Sequence, residues 1–498
     1  MLDIALLREK PEWVKAQIAR LHDPGAVEHV DAVLALDQRR RAVLQEVEIL
    51  KADRNKLNKA FGQFRGNQKL TDAHRIATAV EAAQAIDAGD VARALDLLAN
   101  PTNRVRAAQI RLLDPDKGID VQEVDGLVPP QDIHPEHAQA ALNILQATLS
   151  ALSDHIGALD EQVNTIDADL REHMLWIPNL PHASVPDGMT DAENIAHPHH
   201  GQLPVFDFPP LAHWDLGPKL GIIDFERGVK LAGTRFYILS GLGARLHRAL
   251  TNWMLDYHLA HGRQEVYTPF MVKEEAMYGS AQFPKFRDNV YLDPDAELYL
   301  LPTAEVSVTN MYAGEVLAEA DLPLRYICHT PCFRREKMSA GRDVRGIKRV
   351  HQFEKVEQYS FVRPDESYAE LERIVEAAEE MCGLLGLPYR RVEMVTGDLG
   401  FAAAKKYDVE VYAAGCQEWL EVSSCSNCED FQARRANIKF RPQDGGRPQF
   451  VHTLNGSGLA LPRILIAVLE NNQRADGSVV VPEALRPYLG VEVIGPQQ

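Results

Sequence analysis

Apolar residues recur at alternating steps of three and four in two stretches of the first third of the chain. In the first stretch they are Val43, Val47, Leu50, Leu57, Phe61 and Phe64, with Arg54 at one intervening position. In the second they are Leu142, Leu145, Leu149, Leu152, Ile156, Leu159, Val163, Ile166 and Leu170. This spacing is typical of a coiled-coil seam. It predicts two long helices that pair as an antiparallel hairpin, and two core helices of a bundle are the alternative.

About 70 residues, from Gly66 to Glu136, separate the two stretches. They contain an Ala-rich helical pattern, TDAHRIATAVEAAQAIDAGDVARALDLLAN, followed by a Pro-, Gly- and Asp-rich stretch that ends near Pro129 and Pro130. Turn-forming residues of this kind interrupt helices. We therefore predict that 66–136 is an insertion at the tip of the hairpin.

A Pro-rich stretch, WIPNLPHASVPDG, follows the second helical pattern and breaks it. Beyond it, short alternating runs such as LYLLPTAEV, RYICHTPCFRRE and WLEVSSCSN are mixed with helical patterns over Ala244–Leu259 and Asp365–Leu385. We predict a helical domain over 1–175, a linker over 176–193 and an α+β domain over 194–498. Its sheet is expected to be largely antiparallel, with flanking helices.

Composition narrows the function classes. Of the 498 residues, 45% are apolar and 25% are charged, and the formal net charge is −18. A net negative charge of this size does not suggest a protein that binds nucleic acid or membranes without selectivity. The charge is unevenly spread, because residues 36–69 carry nine basic against four acidic residues and thus offer a local site for a polyanion. No apolar run is long enough to span a membrane. Six cysteines and a charged N-terminus favour a reduced, cytoplasmic protein.

The segment CFRREKMSAGRDVRGIKRVHQFEKVE has two strand-like ends around a basic, glycine-containing loop. On a strand, Arg334 and Glu336 share a face, and so do Arg349, Phe353 and Glu357. A guanidinium suits phosphate or carboxylate, a flat ring suits a base, and carboxylates suit amines. The segment predicts a cleft-facing hairpin, and a charged surface hairpin is the alternative.

Two further segments offer candidate groups. In LPTAEV, Thr303 and Glu305 would share one strand face. In TLNGSGLALPRILIAVLEN, the NGSG sequence predicts a tight turn, and Pro462 suits the first turn of an apolar helix. Arg463 would then lie at the N-terminus of this helix, where the helix dipole favours phosphate.

Glu421 and Ser424 are three residues apart, so a flat strand would place them on opposite faces. If both bind one metal or phosphate, a bulge or strand end must occur near Ser423. Carboxylate and hydroxyl oxygens are suited to Mg²⁺.

Cysteine and histidine give weaker signals. Cys425 and Cys428 form a lone CxxC with Cys416 nearby and no second pair, so we interpret them as buried thiols. The HPHH sequence at 197–200 is interpreted as a solvated loop, with a metal site as the less favoured alternative.

Together these segments resemble the class II aminoacyl-tRNA synthetases, and in particular the bacterial-type seryl-tRNA synthetase family. FRRE…RVHQFEKVE is similar to the family's motif 2, and GLALPR followed by an apolar helix is similar to motif 3. The helix and strand that end near Pro269 resemble motif 1, an element of the dimer interface. PTAEV, YGSAQFPKF, SSCSN and HTLNGSG resemble the serine-specific segments, and the helical hairpin resembles the family's tRNA-binding arm.

The resemblance implies three sets of site residues and a metal site. The ATP set is Arg334, Arg335, Glu336, Val350, Phe353, Glu421, Val422, Ser423, Ser424 and Arg463. The serine set is Thr303, Ala304, Glu305, Arg334, Glu357, Asn455 and Ser457. The tRNA set is Arg40, Lys51, Arg54, Lys56 and Lys59. Arg334 and Arg463 would stabilise charge during catalysis, and Glu421 and Ser424 would bind Mg²⁺.

The implied function is a ligase that activates L-serine with ATP to seryl-adenylate and transfers it to tRNA-Ser, and also to tRNA-Sec. The resemblance further implies a homodimer and no membrane association. The alternative is a paralogue that activates an amino acid and loads a carrier protein. Which carboxylate binds the serine amine and which its hydroxyl stays open. The long insertion departs from the family pattern and leaves the tRNA contacts at the arm tip open.

Overall fold

The computed structural model describes residues 1–106, 109–110, 127, 131, 133–337 and 345–495. Part of the predicted insertion, including Pro129 and Pro130, and part of the basic loop lie outside the described residues. The chain divides into two compact units, one made of Met1–Asp31 with His173–Gln498 and the other of Ala32–Glu172.

Over the part of the chain that the structure describes, the helices follow one another in this order. They are α1 Ile4–Glu9, α2 Pro11–Ala19, α3 Pro24–Gly66, α4 Asp72–Asp87, α5 Val91–Ala99, α6 Pro135–Trp176, α7 His213–Lys219, α8 Phe225–Ala232, α9 Leu242–Ala260, α10 Glu274–Gly279, α11 Glu305–Asn310, α12 Ser367–Leu384, α13 Phe431–Ala436, α14 Leu461–Asn471 and α15 Arg486–Leu489. Within these ranges, no helix is both long and apolar enough to cross a membrane.

The strands are also numbered in chain order. They are β1 Ile195–Ala196, β2 Ile223–Asp224, β3 Ile238–Leu239, β4 Gln264–Glu265, β5 Met271–Val272, β6 Leu292–Asp293, β7 Leu298–Leu300, β8 Val316–Ala318, β9 Leu324–Phe333, β10 Gln352–Val362, β11 Tyr389–Glu393, β12 Lys405–Ala413, β13 Glu418–Asn427, β14 Lys439–Arg441, β15 Gln449–Phe450, β16 His452–Ala460, β17 Val479–Val480 and β18 Val493–Ile494.

The unit over Ala32–Glu172 is built on the two predicted helices. α3 and α6 run antiparallel, and Val43 and Val47 of α3 pack with Val163 and Ile166 of α6 in one buried cluster. Charged residues beside this seam also pair between the helices, because Lys51 Nζ lies 2.8 Å from Asp160 Oδ1. The seam positions predicted from the sequence are therefore the ones that bury the helix faces.

Near the end of α3 the hairpin gains additional helices. Phe61 and Phe64 of α3, Leu145 of α6 and Ile76 of α4 belong to one buried cluster, to which α5 also contributes. α4 begins at a capping box, in which the Thr71 side chain accepts a hydrogen bond from the backbone of the third helical residue. The arm is thus a two-helix coiled coil along part of its length and a small bundle where the insertion packs.

The first 31 residues pack in the other unit, which places the division of the chain at Asp31 and His173 instead of at 175. Leu7, Val14 and Ile18 are fully buried there. The segment predicted as a linker is also packed in this unit, since Asn179 Nδ2 donates to the Cys428 carbonyl at 2.9 Å. These contacts explain why a boundary based on proline content alone differs from the packing.

The α+β unit contains an eight-stranded sheet in the order β1-β11-β12-β13-β16-β10-β9-β4. All neighbouring pairs are antiparallel except β4 and β9. α9, α12 and α14 pack against this sheet through a large apolar cluster. The prediction of a largely antiparallel sheet with flanking helices is confirmed.

Candidate active site

A cavity of about 600 Å³ is lined by residues of β10, β13 and β16, by the first turn of α14 and by the segments that follow β7 and β9. Most predicted site residues lie in its wall: Thr303, Glu305, Arg334, Glu336, Val350, Phe353, Glu421, Ser424, Asn455, Ser457 and Arg463. The structure therefore brings together residues from six separate parts of the fold. The roles that the resemblance implies for them stay predictions.

The remaining predicted residues of the two substrate sets do not line the cavity: Ala304, Arg335, Glu357, Val422 and Ser423. Ala304 and Val422 are buried in apolar clusters. Ser423 donates its hydroxyl to the Ser457 carbonyl at 2.6 Å. Arg335 is exposed, and Glu357 is fully buried beneath the cavity wall. A substrate contact of the four buried residues would have to use the backbone or act through a neighbour, whereas the Arg335 side chain is open to solvent.

Arg334 lines the cavity from a segment that follows a strand, whereas the prediction placed it within the strand. β9 ends at Phe333, so the alternation argument for Arg334 and Glu336 is wrong, although both line the cavity. Glu336 has φ of 53°, which turns the chain after the strand. The Arg334 guanidinium lies 5.1 Å from the centre of the Phe353 ring, and its Nε donates to the Pro302 carbonyl at 3.2 Å. A cation and an aromatic plate are thus held side by side.

The strand prediction for Thr303 and Glu305 and the tight-turn prediction for NGSG are also wrong. β7 ends at Leu300, and Glu305 begins α11, so Thr303 and Glu305 lie in a strand-to-helix turn at the cavity wall. NGSG lies inside β16, and one extra residue near Leu459, whose φ is 102°, shifts the pairing of β16 with β10. Pro462 and Arg463 occupy the first turn of α14, as predicted.

The bulge that a joint role of Glu421 and Ser424 requires is present. Along β12, Val409 pairs with Ser423 and the next residue pairs with Glu421, so β13 has one extra residue between them. Glu421 and Ser424 consequently both line the cavity. Arg463 lies beside them, with Nη1 donating to the Glu421 carbonyl at 2.7 Å and lying 3.3 Å from its carboxylate.

These groups fit a Mg²⁺ ion by their chemistry. Glu421 and Ser424 offer oxygen donors only, which a hard divalent cation prefers. Burial raises the pKa of Glu421, but the charges of Arg463, Lys406 and Arg334 outweigh it and hold this pKa below its usual range. The adjacent Asp408 pairs with Ser424 across the strands, and its Oδ1 lies 4.0 Å from Lys406 Nζ. Glu421 and Ser424 are therefore the oxygen donors that the cavity offers to a cation at this point.

The other end of the cavity contains buried carboxylates. Thr303 Oγ1 donates to Glu357 Oε2 at 3.0 Å and accepts from Lys355 Nζ at 3.0 Å, and Lys355 also forms an ion pair with Glu357. Glu357 Oε1 has no hydrogen-bond partner within the described chain. Burial, reinforced by the negative charge of Glu357, raises the pKa of Glu305 to about 7. This end suits a small ligand with an ammonium group and a hydroxyl.

Several cavity residues were missed by the sequence reasoning: Gln282, Lys348, Lys355, Ser426 and Cys428. Lys355 and Ser426 had a usable signal, because each lies two residues beyond a predicted site residue on the same strand. All six cysteines are free. Burial raises the pKa of Cys428 well above its usual value, which agrees with the interpretation of an inert thiol.

The predicted tRNA-binding residues lie on α3 in the other unit. Arg40 forms an ion pair with Asp167, and Lys51 forms one with Asp160. Arg54 and Lys56 contact neighbours on the same helix. Lys59 is exposed and has no ion pair among the described residues. The five positive charges are therefore not equally available to an RNA backbone, and their role stays a prediction.

Two family models match the chain. That of the tRNA synthetase class II core domain (G, H, P, S and T) matches residues 287–472, which include most of the cavity wall. That of the seryl-tRNA synthetase N-terminal domain matches residues 1–93. The sheet, the cavity and these matches define a class II aminoacyl-tRNA synthetase.

Full-length relatives narrow this class. The chain is 51% identical over 496 residues to a serine–tRNA ligase of Roseiflexus sp., with 99% of each chain covered. It is 47% identical over 497 residues to a serine–tRNA ligase of Chloroflexus aurantiacus, with 100% of each covered. The structure is similar to the crystal structure of seryl-tRNA synthetase from Pyrococcus horikoshii complexed with ATP, with a TM-score of 0.81, 34% identity and 100% of each chain covered.

The chain belongs to the seryl-tRNA synthetase family. It is an ATP-dependent ligase that joins serine to tRNA. The length of these matches, which include the helical arm, disfavours the alternative of a carrier-loading paralogue.

Proposed function

We propose that the cavity binds ATP and L-serine side by side, forms seryl-adenylate and then transfers the seryl group to tRNA. The observation that carries this proposal is that groups suited to phosphate and groups suited to an amino acid line the same cavity. Glu421 and Arg463 lie at one end, Thr303 and Glu305 lie at the other, and Arg334, whose Nε donates to the Pro302 carbonyl, lies between them. A reaction between two bound molecules gains mostly from such positioning.

At the nucleotide end, we propose that the Phe353 ring stacks on adenine and that Glu336 accepts a hydrogen bond from its amino group. Arg349 Nη1 donates to Glu336 Oε2 at 3.1 Å, which supports an ionised Glu336 in a fixed orientation. Arg334 would bind the α-phosphate and Arg463 the γ-phosphate. Arg463 lies in the first turn of α14, so the helix dipole adds to its positive charge.

At the serine end, Thr303, Glu305, Asn455 and Ser457 would surround the substrate, with Glu357 acting through Thr303. The serine carboxylate attacks the α-phosphorus in line, pyrophosphate leaves, and Arg334 stabilises the charge that develops on the phosphorus oxygens. A ribose hydroxyl of tRNA then attacks the carbonyl of the adenylate, and AMP leaves. A buried site that hydrogen-bonds the serine hydroxyl rejects alanine strongly.

Glu421 and Ser424 would hold Mg²⁺, which, when bound, neutralises phosphate charge next to the reacting phosphorus. The chain's own contribution here is the bulge in β13, which turns both oxygen donors toward the cavity. Arg463 contacts the Glu421 carbonyl and so fixes the strand at this point.

Amino-acid-dependent exchange between ATP and pyrophosphate tests the proposal. Serine, among all twenty amino acids, should support exchange most strongly. Arg463→Ala and Phe353→Ala should raise the KM for ATP and have a smaller effect on the KM for serine. Thr303→Val should raise the KM for serine and have a smaller effect on the KM for ATP. If all three variants changed both KM values equally, the proposed placement of the substrates would be wrong.

For the arm, we propose that the basic face of α3 binds the long variable arm of tRNA-Ser, and also that of tRNA-Sec. The support is the charge difference between the helices, since α3 carries most of the basic residues of the hairpin and α6 is mainly acidic. Aminoacylation of each tRNA with and without its variable arm tests this. Equal activity on the shortened tRNAs would contradict it.

We further propose a cytoplasmic homodimer. Tyr267 is 85% exposed and lies in the region that resembles the interface motif, and Leu231 on α8, which precedes this region, is 76% exposed. Large apolar side chains at this level of exposure favour a partner surface. Six free cysteines suit a reducing compartment. Sedimentation of the parent and of Tyr267→Asp would test the dimer, and a monomeric parent would contradict it.

A further inference from the structure

A buried polar cluster outside the cavity joins three distant parts of the α+β unit. It consists of His213 at the start of α7, Cys416 between β12 and β13, and Glu470 near the end of α14. His213 and Glu470 are both fully buried. Glu470 Oε1 lies 2.8 Å from His213 Nδ1 and 3.1 Å from Cys416 Sγ, and the carboxylate also accepts the backbone N–H groups of both residues.

The hydrogen bonds indicate the tautomer of His213. Its Nε2 accepts the backbone N–H of Ile347 at 3.0 Å, so this nitrogen carries a lone pair, and the proton lies on Nδ1, facing Glu470. A metal on Nδ1 would require the proton on Nε2, where it would oppose the Ile347 N–H. Burial and the charge of Glu470 raise the pKa of the Cys416 thiol, so the thiol donates to the carboxylate. The cluster is thus a hydrogen-bonded support and not a metal centre.

The segment that His213 contacts leads directly into the cavity. Ile347 precedes Lys348 and Arg349, which both line it. The approach is close, because a Cβ on Gly346, whose φ is +71°, would lie 1.9 Å from His213 Nε2. Only glycine fits at this position, which means that the imidazole and the backbone are in direct contact.

A second set of contacts holds the same segment. The Trp214 ring lies 4.5 Å from the Arg345 guanidinium and 5.5 Å from Lys348 Nζ. On the cavity side, Arg463 Nε donates to the Lys348 carbonyl at 3.3 Å. Arg463 and Glu470 belong to one helix, α14. Its start therefore contacts Lys348 directly, while its end contacts the adjacent Ile347 through His213.

We propose that His213 is a positioning residue for the nucleotide end of the cavity. Oriented by Glu470, it holds Ile347 and thereby places Lys348 and Arg349, the latter being the partner of Glu336. This inference rests on the proposed placement of ATP. It predicts that loss of the Ile347 hydrogen bond weakens the interaction with ATP and leaves that with serine unchanged.

Two conservative variants separate the two bonds of the imidazole. A glutamine amide reaches the position of Nε2, and an asparagine amide reaches that of Nδ1. His213→Gln should keep the bond to Ile347 and have a KM for ATP within about twofold of the parent. His213→Asn should lose it and raise this KM about tenfold, as expected for one hydrogen bond. The KM for serine should change less than twofold in both.

Amide hydrogen exchange gives a readout that is independent of activity. In the full-length enzyme without substrates, His213→Asn should speed exchange of the peptide that contains Ile347 about tenfold, and His213→Gln should speed it less. His258 provides the matched control, because it is equally buried and neither ring nitrogen has a hydrogen-bond partner in the described chain. His258→Asn and His258→Gln should not differ from each other in the KM for ATP.

The outcomes distinguish this inference from the proposed function. If His213→Asn and His213→Gln changed the KM for ATP equally, or changed that for serine as much, His213 would be a structural residue only. If Arg463→Ala left the KM for ATP unchanged, the placement of ATP itself would be wrong. The exchange rate of Ile347 would then still test whether His213 holds this segment.

Discussion

The arm and the cavity both depend on charged residues, but the two regions hold them in opposite ways. In the arm, Lys51 and Asp160 are each more than 40% exposed and pair beside an apolar seam that already fixes the helices. At the cavity wall, Lys355 pairs with Glu357, which is buried beneath it, and one Glu357 carboxylate oxygen has no hydrogen-bond partner among the described residues. Exposed ion pairs contribute little to stability, whereas breaking a buried one is costly. Removing one charge from an exposed pair of the arm should therefore change stability little, whereas removing one charge from the buried pair should lower it strongly.

The largest effect is expected for Arg334, which lines the cavity beside Phe353. Arg334→Ala should lower kcat/KM for serine-dependent exchange about 10³-fold, because it removes charge stabilisation of the transferred phosphoryl group. Thermal unfolding should change little. Arg441→Ala, which removes an exposed arginine from β14, is the control and should keep parental exchange. Exchange by Arg334→Ala within tenfold of the parent would contradict the assigned role.

The buried ion pair should give the largest effect on stability. Lys355→Met leaves Glu357 buried without its cation and should lower the free energy of unfolding by about 3 kcal/mol, measured by denaturant titration. The double variant Lys355→Met with Glu357→Met removes both charges and should recover part of this loss, because no unpaired charge remains. If the double variant were as unstable as the sum of the two single variants, the pair would not be coupled.

The raised pKa of Glu305 predicts a pH dependence at the serine end. With a pKa of about 7, Glu305 is largely protonated below neutral pH in the free enzyme, and a role in binding the serine amine would require it to ionise. The kcat/KM for serine should therefore rise about tenfold between pH 6 and pH 8. Glu305→Gln should be slower throughout and should lack this rise. An unchanged profile in this variant would assign the titration to another group.

The same acid also links pH to stability. A carboxyl whose pKa is raised in the folded state binds more protons than its unfolded counterpart between pH about 4.5 and about 7. Its contribution to the free energy of unfolding consequently falls as pH rises through this window. Glu305→Gln should remove that part of the fall, which denaturant titrations at several pH values would show.

The same contrast explains what the sequence could predict. The seam of the arm is a local repeat, so Val43, Val47, Val163 and Ile166 could be assigned to it from spacing alone. The cavity depends on interruptions of regular structure. Arg334 lies just past a strand end, and Glu305 lies at a helix start. Strand alternation therefore predicted the right residues by the wrong geometry.

One interruption could be inferred from the sequence alone. Residues three apart lie on opposite faces of a flat strand, so a joint role of Glu421 and Ser424 predicts a bulge between them. The structure has this bulge in β13. By contrast, the His213 cluster left no local signal, because its members are more than 50 residues apart, and Glu470 lies at the far end of the apolar helix after GLALPR, away from the residues that carry the resemblance. Contacts of that kind arise only from the packing of α7 against α14.

The smallest effect is expected in the arm. Lys59 is exposed on α3 and has no ion pair among the described residues, so Lys59→Ala should leave stability and serine-dependent exchange unchanged. It should raise the KM for tRNA only a few-fold, since one phosphate contact contributes about 1 kcal/mol, and this difference should shrink as salt is added.

Lys51→Ala is the matched comparison, because Lys51 already pairs with Asp160 at 2.8 Å and its charge is less available to RNA. Its effect on the KM for tRNA should be smaller, with a loss of stability below about 1 kcal/mol. A larger increase in the KM for tRNA for Lys51→Ala than for Lys59→Ala would contradict this prediction. It would mean that RNA displaces the ion pair between the helices, so that paired charges of the arm also bind RNA.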